Sequence, residues 1–83
     1  MARVVLAFAS THAAMAAEDA LRLAGIALQV VPLPAWIAAD CGLALRLDAS
    51  DAGRAEEELL RRGIQVRGFH EEPPGAGLPG DSG

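Results

Sequence analysis

Apolar and polar positions follow one another in blocks that predict four strands and two helices. Val4 to Ala9 is a continuous apolar run, as in a central strand covered on both faces. His12 to Ala24 consists mainly of strong helix formers with an apolar stripe at helical spacing, and Gly25 can end that helix in a left-handed conformation. Ile26 to Leu33 predicts a second strand, and Pro32 within it favours an edge of the sheet.

The second half of the chain echoes this order. Gly42 to Leu47 predicts a strand, a capped second helix follows and ends at Gly63, and Ile64 to Phe69 predicts the last strand. The order βαββαβ predicts an α+β, ferredoxin-like split βαβ fold with an antiparallel sheet of order 4-1-3-2 and both helices on one face. We expect residues 1–71 to form this single domain, and residues 72–83, rich in Pro and Gly, to be a disordered tail.

Composition restricts the classes of partner. The chain has 83 residues, no lysine, 4% aromatic residues and a formal net charge of −4. A nucleic-acid or anionic-membrane partner is disfavoured, because binding phosphates requires a basic face. No apolar run approaches the length of a membrane span. A predicted edge strand and an alanine-rich core allow a homodimer.

Candidate chemistry centres on Cys41, the only cysteine. A single cysteine excludes an internal disulfide and a multi-cysteine zinc site and fits a reducing cytoplasm, so we expect no metal and no cofactor. Strands 1 and 3 are predicted to be antiparallel neighbours, so Ser10, Thr11 and His12, which follow strand 1, should meet Cys41 and Gly42 at one end of the sheet. The first helix also begins there with its free N–H groups.

A thiol in that position is a candidate nucleophile, because a helix N-terminus or a protonated histidine lowers the pKa of a cysteine from about 8.5. Gly42 leaves access to the sulfur, and the loop from Pro34 to Asp40 forms the other wall. Asp40 acts in the opposite direction, since an adjacent carboxylate raises the pKa of a thiol. Cys41 and His12 without a third orienting group make a poor hydrolase, which disfavours a turnover enzyme.

Simpler interpretations of the same residues stay open. Cys41 can be a small buried hydrophobe, Ser10 and Thr11 a helix cap, and His12 a solvated surface residue. Trp36 can plug the open end of the core. A second function is also compatible with the pattern: a ferredoxin-like regulatory or binding module that recognises a small anion at the N-terminus of the first helix.

Between residue 4 and about residue 69 the chain contains a set of short motifs: Ser10-Thr11-His12, Ala17-Glu18, Ala24-Gly25-Ile26, Pro32-Leu33-Pro34, Ile37 and Cys41-Gly42-Leu43-Ala44-Leu45. Together they resemble the Se/S (selenium/sulfur) carrier protein-like family, a small bacterial domain of unknown function. The family typically has an Arg after the second Pro and Ser residues ahead of the Cys. This chain has Ala35, Ala38 and Ala39 at those positions, so the anion-holding Arg and the loop hydroxyls are missing.

The resemblance implies a cytoplasmic carrier rather than an enzyme. Its Cys41 accepts sulfur as a persulfide or selenium as a selenenylsulfide, with Ser10, Thr11, His12 and the segments at Pro34 and Gly42 around it. The donor implied is a cysteine desulfurase-like protein, and the acceptor is a further protein that the sequence does not identify. A carrier suits a chain with one cysteine, because a second thiol would resolve the loaded sulfur as a disulfide.

Overall fold

The computed structural model describes residues 2–37 and 42–72 and has the element order βαββαβ. One antiparallel sheet contains all four strands: β1 (Arg3–Ala7), β2 (Leu28–Pro32), β3 (Leu43–Asp48) and β4 (Gly68–Glu71). The helices are α1 (Thr11–Leu23) and α2 (Ala52–Arg61), and a 3-10 turn at Ala49–Asp51 precedes α2. The sheet order β2-β3-β1-β4 is the predicted order read from the opposite edge, so the ferredoxin-like α+β fold is confirmed.

Strand β2 is shorter than predicted, and β4 begins four residues later than predicted and ends two residues beyond the predicted end. The register of the sheet explains why both strands begin late. Gly68 lies opposite Ala7, the last residue of β1. Continued to Ile64, this register reaches a position that already belongs to α1, so Ile64 has no strand to pair with. Leu28 likewise lies opposite the penultimate residue of β3, and Ile26 falls beyond that strand. Both isoleucines pack instead on the core beneath the helices.

The helices cover one face of the sheet, which we call the helix face. Alternate side chains of β1 and β3 meet small residues of α1 and α2 there, and Ala17 and Ala55 are fully buried at these contacts. The largest fully buried side chains of this core are Leu6, Phe8, Leu21, Leu45, Leu47 and Leu59. No helix in the described part of the chain is long and apolar enough to cross a membrane.

The opposite face, which we call the loop face, carries a second and smaller core. Its buried members are Val5, Ala7, Ile37 and Ala44. Ile37 comes from the connection between β2 and β3 and is only 5% exposed, so this connection covers part of the sheet. Burial on both faces explains why β1 is a continuous apolar run rather than an alternating one.

Strand β2 forms an edge of the sheet, as Pro32 predicts. The N–H of Leu33 donates to the carbonyl of Gly42 at 2.9 Å. Because hydrogen bonding alternates along an antiparallel strand, Pro32 occupies a position directed away from β3. A proline costs no ladder hydrogen bond at such a position.

Candidate functional site at the end of the sheet

Strand β1 ends and β3 begins at the same end of the sheet. Ala7 at the end of β1 lies opposite Ala44 near the start of β3. Residues 10–12 therefore leave the sheet at this end, and Gly42 enters the sheet at this end. Cys41, together with Ala38, Ala39 and Asp40, lies outside the described residues.

Ser10 is the N-cap of α1. Its backbone is extended, with φ −150°, and its Oγ accepts a hydrogen bond from the N–H of Ala13 at 3.1 Å. Its carbonyl accepts from the N–H of Ala14, also at 3.1 Å. The helix-cap interpretation of Ser10 is therefore confirmed, and its hydroxyl is used to satisfy the helix's own backbone.

Thr11, His12 and Gly42 are exposed at this end of the molecule. Thr11 and His12 form the first turn of α1, and exposure of His12 agrees with its interpretation as a solvated residue. Apart from its chain neighbours, no atom of the described residues lies within 4 Å of a Cβ placed on Gly42.

Pro34 begins a turn in the connection between β2 and β3. Its carbonyl accepts a hydrogen bond from the N–H of Ile37 at 3.0 Å. Ala35 is exposed in this turn. Trp36 does not plug the core under the helices: it is 39% exposed and stands edge-on to the ring of His70, with centroids 6.1 Å apart and planes at 78°.

His70 is a neighbour of this connection that sequence reasoning missed. It lies opposite Val5, whose side chain belongs to the loop face. A Cβ placed on Gly68 would lie 2.7 Å from His70 Nε2, so the imidazole lies over Gly68, toward the end of the sheet that Gly42 enters. Gly68 and His70 are two residues apart in one strand. This spacing could have indicated that the imidazole lies over the glycine, if the start of β4 had been known. Within residues 2–37 and 42–72, no three His, Cys, Asp or Glu side chains are grouped so that they could hold a metal ion.

Arg46 lies farther from this end of the sheet, opposite Val5 on one side and Gln29 on the other. Its Nη2 donates to Glu72 Oε1 at 3.1 Å, and its Nη1 donates to Gln29 Oε1 at 3.3 Å. Its Nε is 3.1 Å from Glu72 Oε2. The Nε is buried, and no described residue accepts a hydrogen bond from it, so its attraction to Glu72 is ionic. Glu72 also donates its backbone N–H to the carbonyl of Arg3 at 2.9 Å.

These features define the class of protein: a small ferredoxin-like α+β domain whose only cysteine belongs to the connection that enters the sheet beside the start of α1. A family model described as "Putative Se/S carrier protein-like" matches residues 3–71. The chain belongs to this family, because the match covers every strand and helix of the fold. Comparison with curated proteins and with solved structures gives no match.

Proposed function

We propose that this chain is a sulfur or selenium carrier that uses Cys41 as the carrying thiol in a relay between proteins. The observation that carries the proposal is the family match, which runs through the only cysteine of the chain. Two structural features support it. Gly42, the chain neighbour of Cys41, is exposed, and α1 begins at the same end of the sheet, so a thiolate near its positive dipole end would be favoured.

The transfer is a thiol–disulfide-type exchange that needs no oxidant. The Cys41 thiolate attacks the terminal sulfur of a persulfide on the donor; the S–S bond of the donor breaks and the donor leaves as a thiolate. Cys41 then carries the persulfide. An acceptor nucleophile attacks the terminal sulfur and releases Cys41 as a thiolate. Terminal selenium is transferred by the same exchange and leaves a selenenylsulfide on Cys41.

The partners in this proposal are proteins. The donor is a cysteine desulfurase-like enzyme in the cytoplasm, and the acceptor is a protein that offers a nucleophile. Because the atom received is passed on unchanged, the chain acts as a carrier rather than as a turnover enzyme and uses no cofactor. A homodimer stays a prediction, which sedimentation equilibrium of the purified chain can test.

The anion-binding module remains the competing function for the start of α1. The hydroxyl of Ser10 is engaged in capping the helix, and no contact in the described part of the chain favours this module over the carrier. One thermal-shift experiment with a panel of anions distinguishes the carrier from the anion-binding module. Stabilisation that survives Cys41→Ala but weakens in His12→Ala would support the binding module.

The carrier function is tested by loading. The purified chain is incubated with a cysteine desulfurase and cysteine, and its intact mass is then measured under non-reducing conditions. We expect the mass of one added sulfur atom, which a reductant removes and which Cys41→Ser abolishes. The absence of an adduct with every donor tested, or equal loading of Cys41→Ser, would contradict the proposal.

A further inference from the structure

We infer that His70 is a positioning residue: through Trp36 it holds residues 33–37, the part of the β2–β3 connection that precedes the Cys41 segment in the chain, on the loop face. The inference rests on the proposed function for its purpose. The contact itself involves described residues from two separate parts of the chain, β4 and the turn after β2.

The contact between Trp36 and His70 has the geometry of a favourable aromatic pair. The ring centroids are 6.1 Å apart and the planes are nearly perpendicular. Edge-to-face pairs with centroids about 4.5–7 Å apart stabilise a contact beyond the apolar area that they bury. The half-exposed indole of Trp36 therefore has a specific packing partner, the imidazole of His70.

The position of the imidazole depends on the absence of a side chain at Gly68. Gly68 is not among the described glycines with positive φ, so its backbone conformation does not require glycine. What requires it is space, because a Cβ there would lie 2.7 Å from His70 Nε2. Gly68 thus allows the ring of His70 to lie against the sheet, where Trp36 meets it.

The connection is held at further points on both sides of residues 38–41. Ile37, next to Trp36, is buried against Val5, Ala7 and Ala44. On the other side, the carbonyl of Gly42 accepts a hydrogen bond from the N–H of Leu33. The residues that flank the Cys41 segment are therefore fixed by contacts, and the Trp36–His70 pair is the one among them that involves β4.

His70 supports Trp36 through the shape of its ring. Among the described strand residues and Glu72, the charged side chains that share the loop face with His70 are Arg3, Arg46, Asp48 and Glu72. Arg46 and Glu72 are paired with each other. We therefore expect phenylalanine to replace His70 in this role and alanine to fail.

Trp36 is the only tryptophan, so its fluorescence reports on this contact directly. Gly68→Ala and His70→Ala are expected to shift the emission of Trp36 to the red and to raise its quenching by acrylamide, whereas His70→Phe keeps both near wild type. His12→Ala is the matched control at the other histidine and changes neither. In Gly68→Ala the clash involves only the far end of a side chain that can rotate away, so this variant keeps the fold, which thermal melting verifies.

The second measurement is the pH profile of Cys41 alkylation by iodoacetamide. We expect His70→Ala and Gly68→Ala to alter this profile relative to wild type, and His70→Phe to restore the wild-type profile. Unchanged Trp36 fluorescence in the alanine variants, an unchanged alkylation profile, or failure of phenylalanine to rescue would each overturn the inference. If these effects occur but no sulfur is ever loaded, the carrier function fails and the positioning role stands.

Discussion

Arg46 on the loop face is a charged side chain that is mostly removed from water. Its side chain is 16% exposed and that of its partner Glu72 is 12% exposed. Removing water from two charges is costly, and the cost is offset here by two contacts to one carboxylate and one to Gln29. The pair is therefore sensitive to the loss of either partner.

Replacing Glu72 tests this dependence. Glu72→Gln leaves the Arg46 guanidinium without its counter-charge, and we expect it to lower the free energy of unfolding by about 1–3 kcal/mol. Glu71→Gln is the matched control, since Glu71 is exposed, and it should change stability by less than about 0.5 kcal/mol. Urea unfolding followed by circular dichroism measures both. Equal effects of the two substitutions would show that the pair contributes nothing specific.

The sequence alone could not find these loop-face contacts. Arg46 and Glu72 meet because β1 lies between β3 and β4 in a particular register, and that register depends on where β4 starts. A strand predicted over Ile64 to Phe69 leaves His70 and Glu72 outside the sheet. The contact of His70 with Trp36 could not be predicted from the sequence either, because it also depends on where β4 begins.

At the scale of elements, the helix ends follow local rules that the sequence does contain. Ser10 caps α1, and Gly25 and Gly63 after the two helices have φ of +80° and +74°. The N–H of Ile64 donates to the carbonyl of Leu59, which satisfies a helix end that would otherwise lack a partner. These features were predictable because each depends on residues a few positions apart.

The cap of α1 gives a second prediction. Ser10→Ala removes the acceptor of the Ala13 N–H and is expected to destabilise the domain by about 1 kcal/mol. Ser10→Asp keeps an acceptor at the same position and should retain wild-type stability or exceed it. Thermal melting of the two variants side by side decides the point. If Ser10→Asp loses as much stability as Ser10→Ala, the hydroxyl has a role other than capping.

The connection between β2 and β3 gives a third prediction, because Ile37 makes it part of the folded core. Ile37→Ala leaves a cavity against Val5, Ala7 and Ala44 and is expected to cost about 2–4 kcal/mol. Val30→Ala on the outer strand is the control and should cost clearly less, since Val30 is exposed. Chemical denaturation measures both. A neutral Ile37→Ala would mean that the connection does not pack on the loop face.

This connection also marks a limit of sequence reasoning about elements. Residues 34–41 have no helical or strand period, so the pattern predicts a loop and does not indicate which face of the sheet it covers. Only the continuous apolar character of β1 indicates that both faces are buried. It does not say which segment lies on the second face.

At the scale of the whole molecule, two carboxylates, those of Asp48 and Glu58, couple stability to pH. The hydroxyl of Ser50 donates to Asp48 and, with the Ser50 N–H, holds the pKa of that carboxyl below its ordinary value of 3.8. The guanidinium of Arg62 donates to Glu58 at 2.7 Å and, with Arg61, lowers the pKa of that carboxyl below 4.5. Both groups are therefore more acidic in the folded chain than in the unfolded chain.

The direction of the pH effect follows from these shifts. A carboxyl with a lowered folded-state pKa stabilises the fold fully above its unfolded value, and this contribution is lost as the pH falls through the folded pKa. We expect the melting temperature to fall from pH 5 toward pH 3, and Asp48→Asn or Glu58→Gln to make that fall shallower. Ser50→Ala should act like Asp48→Asn. Melting temperatures in this range that do not depend on these substitutions would contradict the assignment.

The architecture as a whole was accessible from the sequence. The order of elements, the sheet order and the placement of both helices on one face follow from apolar periodicity and the handedness of crossovers. For the candidate site, the sequence could predict only that the end of β1 and the start of β3 lie at the same end of the sheet, in agreement with the pairing of Ala7 and Ala44. The contacts that Trp36 and Ile37 make on the loop face could be identified only once the register of the strands was known.

The central claim is that Cys41 carries sulfur or selenium, and its state in the cell tests it most directly. Cells that express the chain at its natural level are lysed in an alkylating reagent that traps thiols and persulfides, and the peptide that contains Cys41 is analysed by mass spectrometry. The account predicts a fraction of this peptide with one additional sulfur or selenium atom, which disappears when the donor desulfurase is depleted. A Cys41 peptide found only as the alkylated thiol, with and without the donor, would contradict it.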